Sequence, residues 1–392
     1  MVDFRKNYDV AVAGAGIAGV AAALSAARRG YKVALIEKQT TIGGLATSGL
    51  IFIYLPLCDG RGRQVLFGIA EELLKLSMKY SPCDLPPAWG GRTKDAFYGF
   101  DHGNRYQVIF SPAGFTLALD EALAAAGVDL WLDTLICSAN TSSDGKINSI
   151  EVENISGRGE ISAGCFIDAT GSAALIRYSG GEVESGINYQ TPWIMERNDN
   201  SSVFSLDSSL GMKIFGSISP DFETGDPLDG YANTVHIRST WDEARKYYLA
   251  AYASGNDRRK HYPVILPGMV QFRKIARIAG MKTLSDGDDG KYFEDSIGLY
   301  PDWRRCSCIW ETPYGTLLPE KVRGVLAAGR CISTTGDAWE AFRVIPAAAM
   351  TGEAAGTAAA LALQKHCDPA ELSASEVQNE LRKQGFLFHI DQ

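Results

Sequence analysis

Three glycines open the chemistry of this chain. Gly14, Gly16 and Gly19 stand in the order G-x-G-x-x-G, with Ala15, Ile17 and Ala18 between them. The first permits a tight turn, the second has no Cβ to block a pyrophosphate, and the third lets a helix lie close to a sheet. Phosphates then meet unpaired amides and the positive end of the helix dipole. Glu37 follows where a carboxylate accepts hydrogen bonds from ribose hydroxyls and repels a 2′-phosphate. These residues call for an adenine dinucleotide. Farther along, Arg273, Arg277, Arg304, Arg305 and Arg343 are able to grip a carboxylate or steady a developing oxyanion. The competing reading of each is an interface ion pair. His236 has the chemistry of a general base, or of a structural histidine on a strand-like run between Val235 and Ile237.

Those groups need a frame. Tyr8 to Ala13 reads as a buried strand running into the glycine loop, an Ala-rich helix follows, and Tyr31 to Ile36 reads as a second parallel strand. Beyond it, Gly43, Gly44, Ala46 and Thr47 lie in a turn-rich loop whose small residues let a planar ring approach the backbone. A helix is expected over 65–80, then a Pro- and Gly-rich stretch, the whole of about 57–105 forming an insertion over the cofactor. Ser111-Pro112 starts a helix that Gly127 stops. Strands 128–136 and 147–152 flank a Ser143-Asp144-Gly145 turn, and strand 164–167 leads to Asp168-Ala169-Thr170-Gly171. The texture changes at about 182–302, where strands and one helix around 241–253 are expected. Gly324 to Arg330 then reads as a strand ending in a glycine turn, and a long Ala-rich helix follows from about 346 to 364.

Composition narrows the class. With 38 basic against 46 acidic residues the formal charge is −8, which offers no footprint for nucleic acid; Arg258-Arg259-Lys260 reads as a solvated loop. The first seven residues lack the apolar core of a signal peptide, and the stretch 344–363 carries Thr351 and Glu353, so a cytoplasmic protein without membrane insertion is expected. The eight cysteines form no C-x-x-C pair and read as reduced thiols, with Cys306-x-Cys308 the one spacing suited to metal or redox work. No metal site is expected.

Taken in order, the glycine loop, Glu37-Lys38 with Gly43-Gly44, the Asp168 to Gly171 strand end and Leu326-Ala327-Ala328-Gly329-Arg330 resemble the FAD-dependent oxidoreductases of the glutathione-reductase-like fold. Further segments resemble a bacterial FAD-dependent oxidoreductase group: Arg273 to Gly280, Pro313-Tyr314-Gly315, Gly329 to Ser333, Arg343-Val344 and Gly352 to Gly356. The chain departs from that pattern with Thr335-Gly336-Asp337, where relatives often carry a histidine.

The resemblance implies an α/β fold. A Rossmann-like FAD-binding domain, a parallel sheet plus three-stranded β-meander, would span 1–184 and 311–392 and carry an inserted α+β substrate domain at 185–310. It implies that Gly14 to Gly19 hold the FAD pyrophosphate, Glu37 the ribose and Lys38 the adenine side, with Leu135 a backbone contact to adenine. Ala169, Thr170 and Gly171 would pass near the pyrophosphate, and Gly329-Arg330 near the ribityl phosphate. The helix carrying Ile345 and Ala348 would meet the pyrimidine edge. Arg343 beside that helix is the strongest catalytic candidate, and Tyr314 would line the ring. No second glycine loop follows residue 60, so hydride transfer between a small polar, anionic or sugar-like substrate and flavin N5, with an external electron acceptor, is the expected reaction. The alternatives are a flavin monooxygenase or double-bond reductase with an external donor, and a non-redox binding protein on the same fold. A monomer or homodimer fits either.

Overall fold

A computed structural model describes residues 3–85, 107–186, 192–199, 205–215 and 225–391. The chain opens with β1 (Phe4–Ala13), α1 (Ile17–Ala27) and β2 (Val33–Ile36). Then come β3 (Ile53–Tyr54), α2 (Ile69–Met78), β4 (Val108–Ile109), α3 (Pro112–Ala125), β5 (Asp129–Trp131), β6 (Leu135–Thr141), β7 (Ile147–Asn154), β8 (Gly157–Asp168) and α4 (Ala174–Tyr178). The middle of the chain holds β9 (Val183–Ser185), β10 (Trp193–Asn198), β11 (Leu210–Ile214), α5 (Gly230–Ala253) and β12 (His261–Ile265). It closes with β13 (Ala276–Ile278), β14 (Ser296–Pro301), β15 (Ile309–Pro313), β16 (Val325–Ala327), α6 (Gly336–Phe342), α7 (Ile345–Lys365) and α8 (Ala374–Arg382).

One seven-stranded sheet organises the molecule, in the order β5-β2-β1-β8-β7-β6 with β16 also on β8. Strands β5, β2, β1, β8 and β16 are parallel, while β8, β7 and β6 form an antiparallel meander. The branch is possible because β8 is long. Its first half pairs with β7 (Ser162 opposite Ser149) and its last three residues pair with β16 (Phe166 opposite Val325), while β1 runs along its other edge. This is the Rossmann-like sheet with a three-stranded meander.

Helices α1 and α7 lie together on this sheet at a distance only small residues allow. A Cβ on Gly352 would overlap the Ala18 carbonyl oxygen, and one on Gly356 that of Ala22. Ser25 Oγ donates to the Glu353 carbonyl at 3.0 Å and meets Thr357 Oγ1 at 3.0 Å, which locks the register of the two helices. Glu353 itself is buried and accepts the Ile69 amide at 2.6 Å, capping α2 from a neighbouring helix. A three-stranded sheet, β11-β10-β12, packs with α5 around Ile194, Phe215, Ala244 and Tyr248, a cluster separate from the main core. Its polar centre is Glu196, which accepts from Tyr248 Oη at 2.8 Å and lies 3.3 Å from His261 Nε2. None of the eight cysteines is in a disulfide. No helix of the described residues is long and apolar enough to cross a membrane.

Several elements differ from the sequence expectations. The expected strand 128–136 is two strands: Asp133 takes a positive φ of 49°, so β5 joins the parallel sheet and β6 starts the meander. The strand before Asp168 begins at Gly157, not Gly164, because β1 and β7 pair with its early residues. His236 stands on a helix, not a strand. Asp229 accepts the Tyr231 and Ala232 amides at 2.7 and 3.3 Å and so starts α5 eleven residues before Trp241, overriding the strand preference of Val235 and Ile237. The Pro- and Gly-rich end of the expected 57–105 insertion lies largely outside the described residues.

Two outcomes follow. Gly352→Ala should lower stability by about 1–3 kcal/mol, read by urea unfolding, because the helices have no slack for a methyl group. Burial pushes the Glu353 carboxyl up to about 7, against an ordinary value of 4.5. The contribution of this one carboxyl to stability is then full below about pH 4.5 and is lost as pH rises to about 7, by about 3 kcal/mol. Glu353→Gln, which still accepts the Ile69 amide, should flatten that fall and leave the variant the more stable form at pH 8.

Candidate dinucleotide and active site

The site forms where β1, β8 and β16 end together. The Ala169 amide donates to the Ala13 carbonyl and the Ala328 amide to that of Asp168, both at 2.9 Å, so three strand ends and their loops share one edge of the sheet. Ligands collect at such an edge because the loops leave it in different directions. The three glycines then divide their work. Gly14 has φ +91°, and a Cβ there would lie 2.9 Å from the Ala169 carbonyl oxygen. A Cβ on Gly19 would overlap the Gly14 carbonyl. At Gly16 a Cβ would meet nothing within 4 Å. Among the described residues nothing in the packing demands a glycine at Gly16, and the open cradle it leaves at the start of α1, which carries no side-chain cap, suits a pyrophosphate.

Glu37 is 8% exposed; its Oε2 accepts the Ala15 amide at 2.8 Å and its Oε1 the Gln39 amide at 3.0 Å. Burial raises its pKa and those amides oppose the rise. Each carboxylate oxygen keeps a second lone pair for a ribose hydroxyl. The Thr134 and Asp133 amides donate to the Glu37 and Gln39 carbonyls at 3.0 Å, which brings exposed Leu135 alongside, next to exposed Lys38.

The second half of the cradle is built from distant segments. The Gly43 amide donates to the Ala15 carbonyl at 2.7 Å, and a Cβ on Gly44 would lie 3.1 Å from Gly16 Cα. Thr47 Oγ1 donates to the Ile42 carbonyl at 2.5 Å and braces the turn around buried Ala46. Leu50, at its end, takes φ +54°, a strained conformation for a branched side chain. Buried Asp168 holds the opposite wall: Oδ1 accepts from Thr170 Oγ1 at 2.7 Å and Oδ2 from the Ile176 amide at 3.0 Å. Arg330 donates to the Gly171 carbonyl at 2.8 Å and to that of Phe272 at 2.5 Å. Gly329 packs between Ala18 and Ala348, and α7 starts at Val344 and Ile345, again without a side-chain cap.

The structure separates the catalytic candidates. Arg343 closes α6, directly before α7, and its Nε donates to Glu340 Oε2 at 2.7 Å. Arg273 lies 5.2 Å over the Trp193 ring; desolvation, then Arg343 and Arg330 nearby, push it down to about 9. Arg277 is elsewhere, joined to Glu184 at 2.5 Å across β9 and β13. Tyr314 donates to the Pro369 carbonyl at 2.8 Å, deep in the core. Arg304 and Arg305 share an ion network with Asp302 and Asp337. His236 packs 5.0 Å from the Phe272 ring, and neither ring nitrogen has a partner among the described residues. Burial pushes it down to about 4, so at neutral pH it offers one donor and one acceptor instead of a charge. Buried Cys331 is pushed up to about 12 by burial and donates to backbone carbonyls, so it stays a thiol.

The sequence reading missed Gln271. Its amide nitrogen donates to the Gly49 carbonyl at 2.6 Å and to that of Trp193 at 2.8 Å, and its oxygen accepts the Trp193 amide at 2.9 Å. It ties the 43–50 loop to the first residue of β10. Lys274 and Glu340 were missed too; they pair at 2.6 Å, and only the i,i+3 spacing of Glu340 to Arg343 hinted at a role.

A Rossmann-like sheet with a meander, a cradle for two phosphates and a second cradle leading to α7 define a protein that binds a flavin dinucleotide. The chain belongs to the FAD-dependent oxidoreductase family, whose model matches residues 9–259 and 302–381. Its cofactor is accordingly FAD. Among solved structures it resembles a geranylgeranyl bacteriochlorophyll reductase-like protein from Thermoplasma acidophilum, with a TM-score of 0.53 at 14% identity over 97% of this chain and 84% of that one. Curated relatives match over short stretches. A thioredoxin reductase of Ureaplasma parvum is 35% identical over 74 residues, 19% of this chain and 24% of that protein. A soluble pyridine nucleotide transhydrogenase of Chromohalobacter salexigens is 51% identical over 41 residues, 10% and 9% of the two chains.

The glycines give a direct test. Gly16→Ala should leave the apoprotein's melting temperature unchanged and weaken FAD binding about tenfold or more, followed by flavin fluorescence. Gly19→Ala should destabilise the apoprotein itself.

Proposed function

We propose that this FAD-dependent oxidoreductase moves a hydride between a carbon of a small polar substrate and flavin N5, and passes the electrons to an external acceptor. The observation that carries the reading is the Gln271 bridge between Gly49 and Trp193, which sets β10 and Arg273 against the loop that approaches the flavin. When bound, FAD supplies the two-electron chemistry.

This chain's residues supply position and charge. Gly43, Gly44, Ala46 and Thr47 let the backbone come close to a flat ring, and the uncapped amides at Ile345 and Ala347 favour negative charge at the ring's edge. Arg343, held by Glu340, stands beside those amides and orients the substrate. His236 hydrogen-bonds the substrate as a neutral group. Trp193 and the β10–β12 sheet exclude water from the other side.

The purified protein should show a flavin spectrum that acid precipitation releases into the supernatant, and its substrate should bleach that spectrum without oxygen. Arg343→Ala should slow the bleaching about tenfold to a hundredfold with FAD content unchanged. Unaltered reduction kinetics remove Arg343 from the mechanism. A colourless protein that cannot take up FAD turns the reading to a non-redox binding protein.

A further inference from the structure

We propose that Asn233 and His236, one helical turn apart on α5, form a subsite for the hydroxyl groups of a neutral polyhydroxylated substrate. The inference rests on the oxidoreductase reading and narrows its substrate class from polar to polyol or sugar.

The first observation is a set of buried polar atoms without partners. His236 is 3% exposed, and neither Nδ1 nor Nε2 has a hydrogen-bond partner among the described residues. Asn233 Oδ1 is buried and likewise lacks a partner among those residues. Its orientation is fixed, because Asn233 Nδ2 donates to the Pro227 carbonyl at 3.1 Å, and an amide turned the other way would set two oxygens against each other. Residues three apart on a helix are neighbours on one face. Burying such atoms unpaired is unfavourable, and a ligand that pairs them removes the penalty.

The second is where this face lies. Helix α5 turns His236, Ala244 and Tyr248 inward. Ala244 and Tyr248 meet Ile194 and Phe215 in an apolar cluster, whereas the ring of His236 meets that of Phe272, 5.0 Å away. The Phe272 carbonyl accepts from Arg330, which also donates to the Gly171 carbonyl in the wall of the cradle. Gln271, the preceding residue, ties the 43–50 loop to Trp193. The polar end of α5 therefore borders the segment that joins the cradle to the β10 sheet.

The hydrogen-bonding inventory defines the ligand. Asn233 Oδ1 only accepts, and burial keeps His236 neutral by pushing it down to about 4, so its ring brings one donor and one acceptor. A hydroxyl group both donates and accepts, so it meets each of these atoms whichever tautomer the ring takes. A carboxylate brings only lone pairs and would face two further acceptors. A hydrocarbon would leave every one of these atoms unpaired.

Glycerol, propan-1-ol and glycerate share a three-carbon skeleton and test this on the holoenzyme, read by the ring-nitrogen NMR signals of isotope-labelled histidine. The chain has five histidines, and His236→Phe assigns the signal of interest by removing it. Glycerol should shift the His236 signals saturably and bind at least about tenfold more tightly than propan-1-ol or glycerate. Asn233→Leu should remove that preference with FAD content unchanged. His236→Phe should leave the melting temperature of the ligand-free holoenzyme unchanged or raised, because it keeps a ring against Phe272 and deletes only unpartnered nitrogens. His236 signals that ignore glycerol, equal binding of the three probes, a preference that survives Asn233→Leu, or a lower melting temperature in His236→Phe overturns the proposal. A protein that binds glycerol at His236 yet transfers no hydride fails the oxidoreductase reading alone. One whose flavin is bleached by a substrate while glycerol leaves His236 unmoved fails the hydroxyl subsite alone.

Discussion

The approach of α1 to α7 governs the rest of this molecule. Each helix begins at the same edge of the sheet, one at the glycine loop and the other after Arg343, and each begins without a side-chain cap. Because Gly352 and Gly356 let α7 rest on the backbone of α1 at Ala18 and Ala22, the two sets of free amides are held at one separation. In the binding arrangement proposed above, the dinucleotide meets both. Larger residues at those two glycines would move one helix end relative to the other, and an error of an ångström there is an error in the site. The same contact explains why α1 is built almost wholly of small residues and is buried along its entire length.

A second constraint is electrostatic. The sheet edge gathers amides, two helix N-termini, Arg330 and Arg343. Glu37 and Asp168 are occupied by backbone amides and stand as structural members of the cradle. Glu340 is divided between two cations. The outcome is an edge whose amides and helix N-termini favour negative charge. The arginines that lie away from this edge, Arg277, Arg304 and Arg305, each have their carboxylates nearby and behave as ordinary structural ion pairs.

The cradle was legible in the residues because its parts are local. A strand that runs into G-x-G-x-x-G, an Ala-rich helix and a strand ending in Glu37 carry their meaning within a few dozen positions, and the Ser111 cap of α3 and the hairpin turn at Asp144-Gly145 are likewise readable from neighbours. Where local preference misled, long-range pairing or a cap had decided the matter. The β-branched residues around His236 favour a strand, yet Asp229 starts a helix there. The residues after Val128 read as one strand until Asp133 turns the chain between two different partners.

By itself, then, the sequence determined the local parts of the dinucleotide half of the protein: which glycines open the first helix, and which acid follows the second strand. Tertiary structure alone decided what surrounds the reacting end. Gln271 reaches Gly49 from 222 positions away, and Lys274 reaches Glu340 from another element altogether. Backbone conformation depends on residues a few places apart, whereas the pairing of one side chain with another depends on how far the packed sheet and helices carry them. No spacing in the chain encodes that distance.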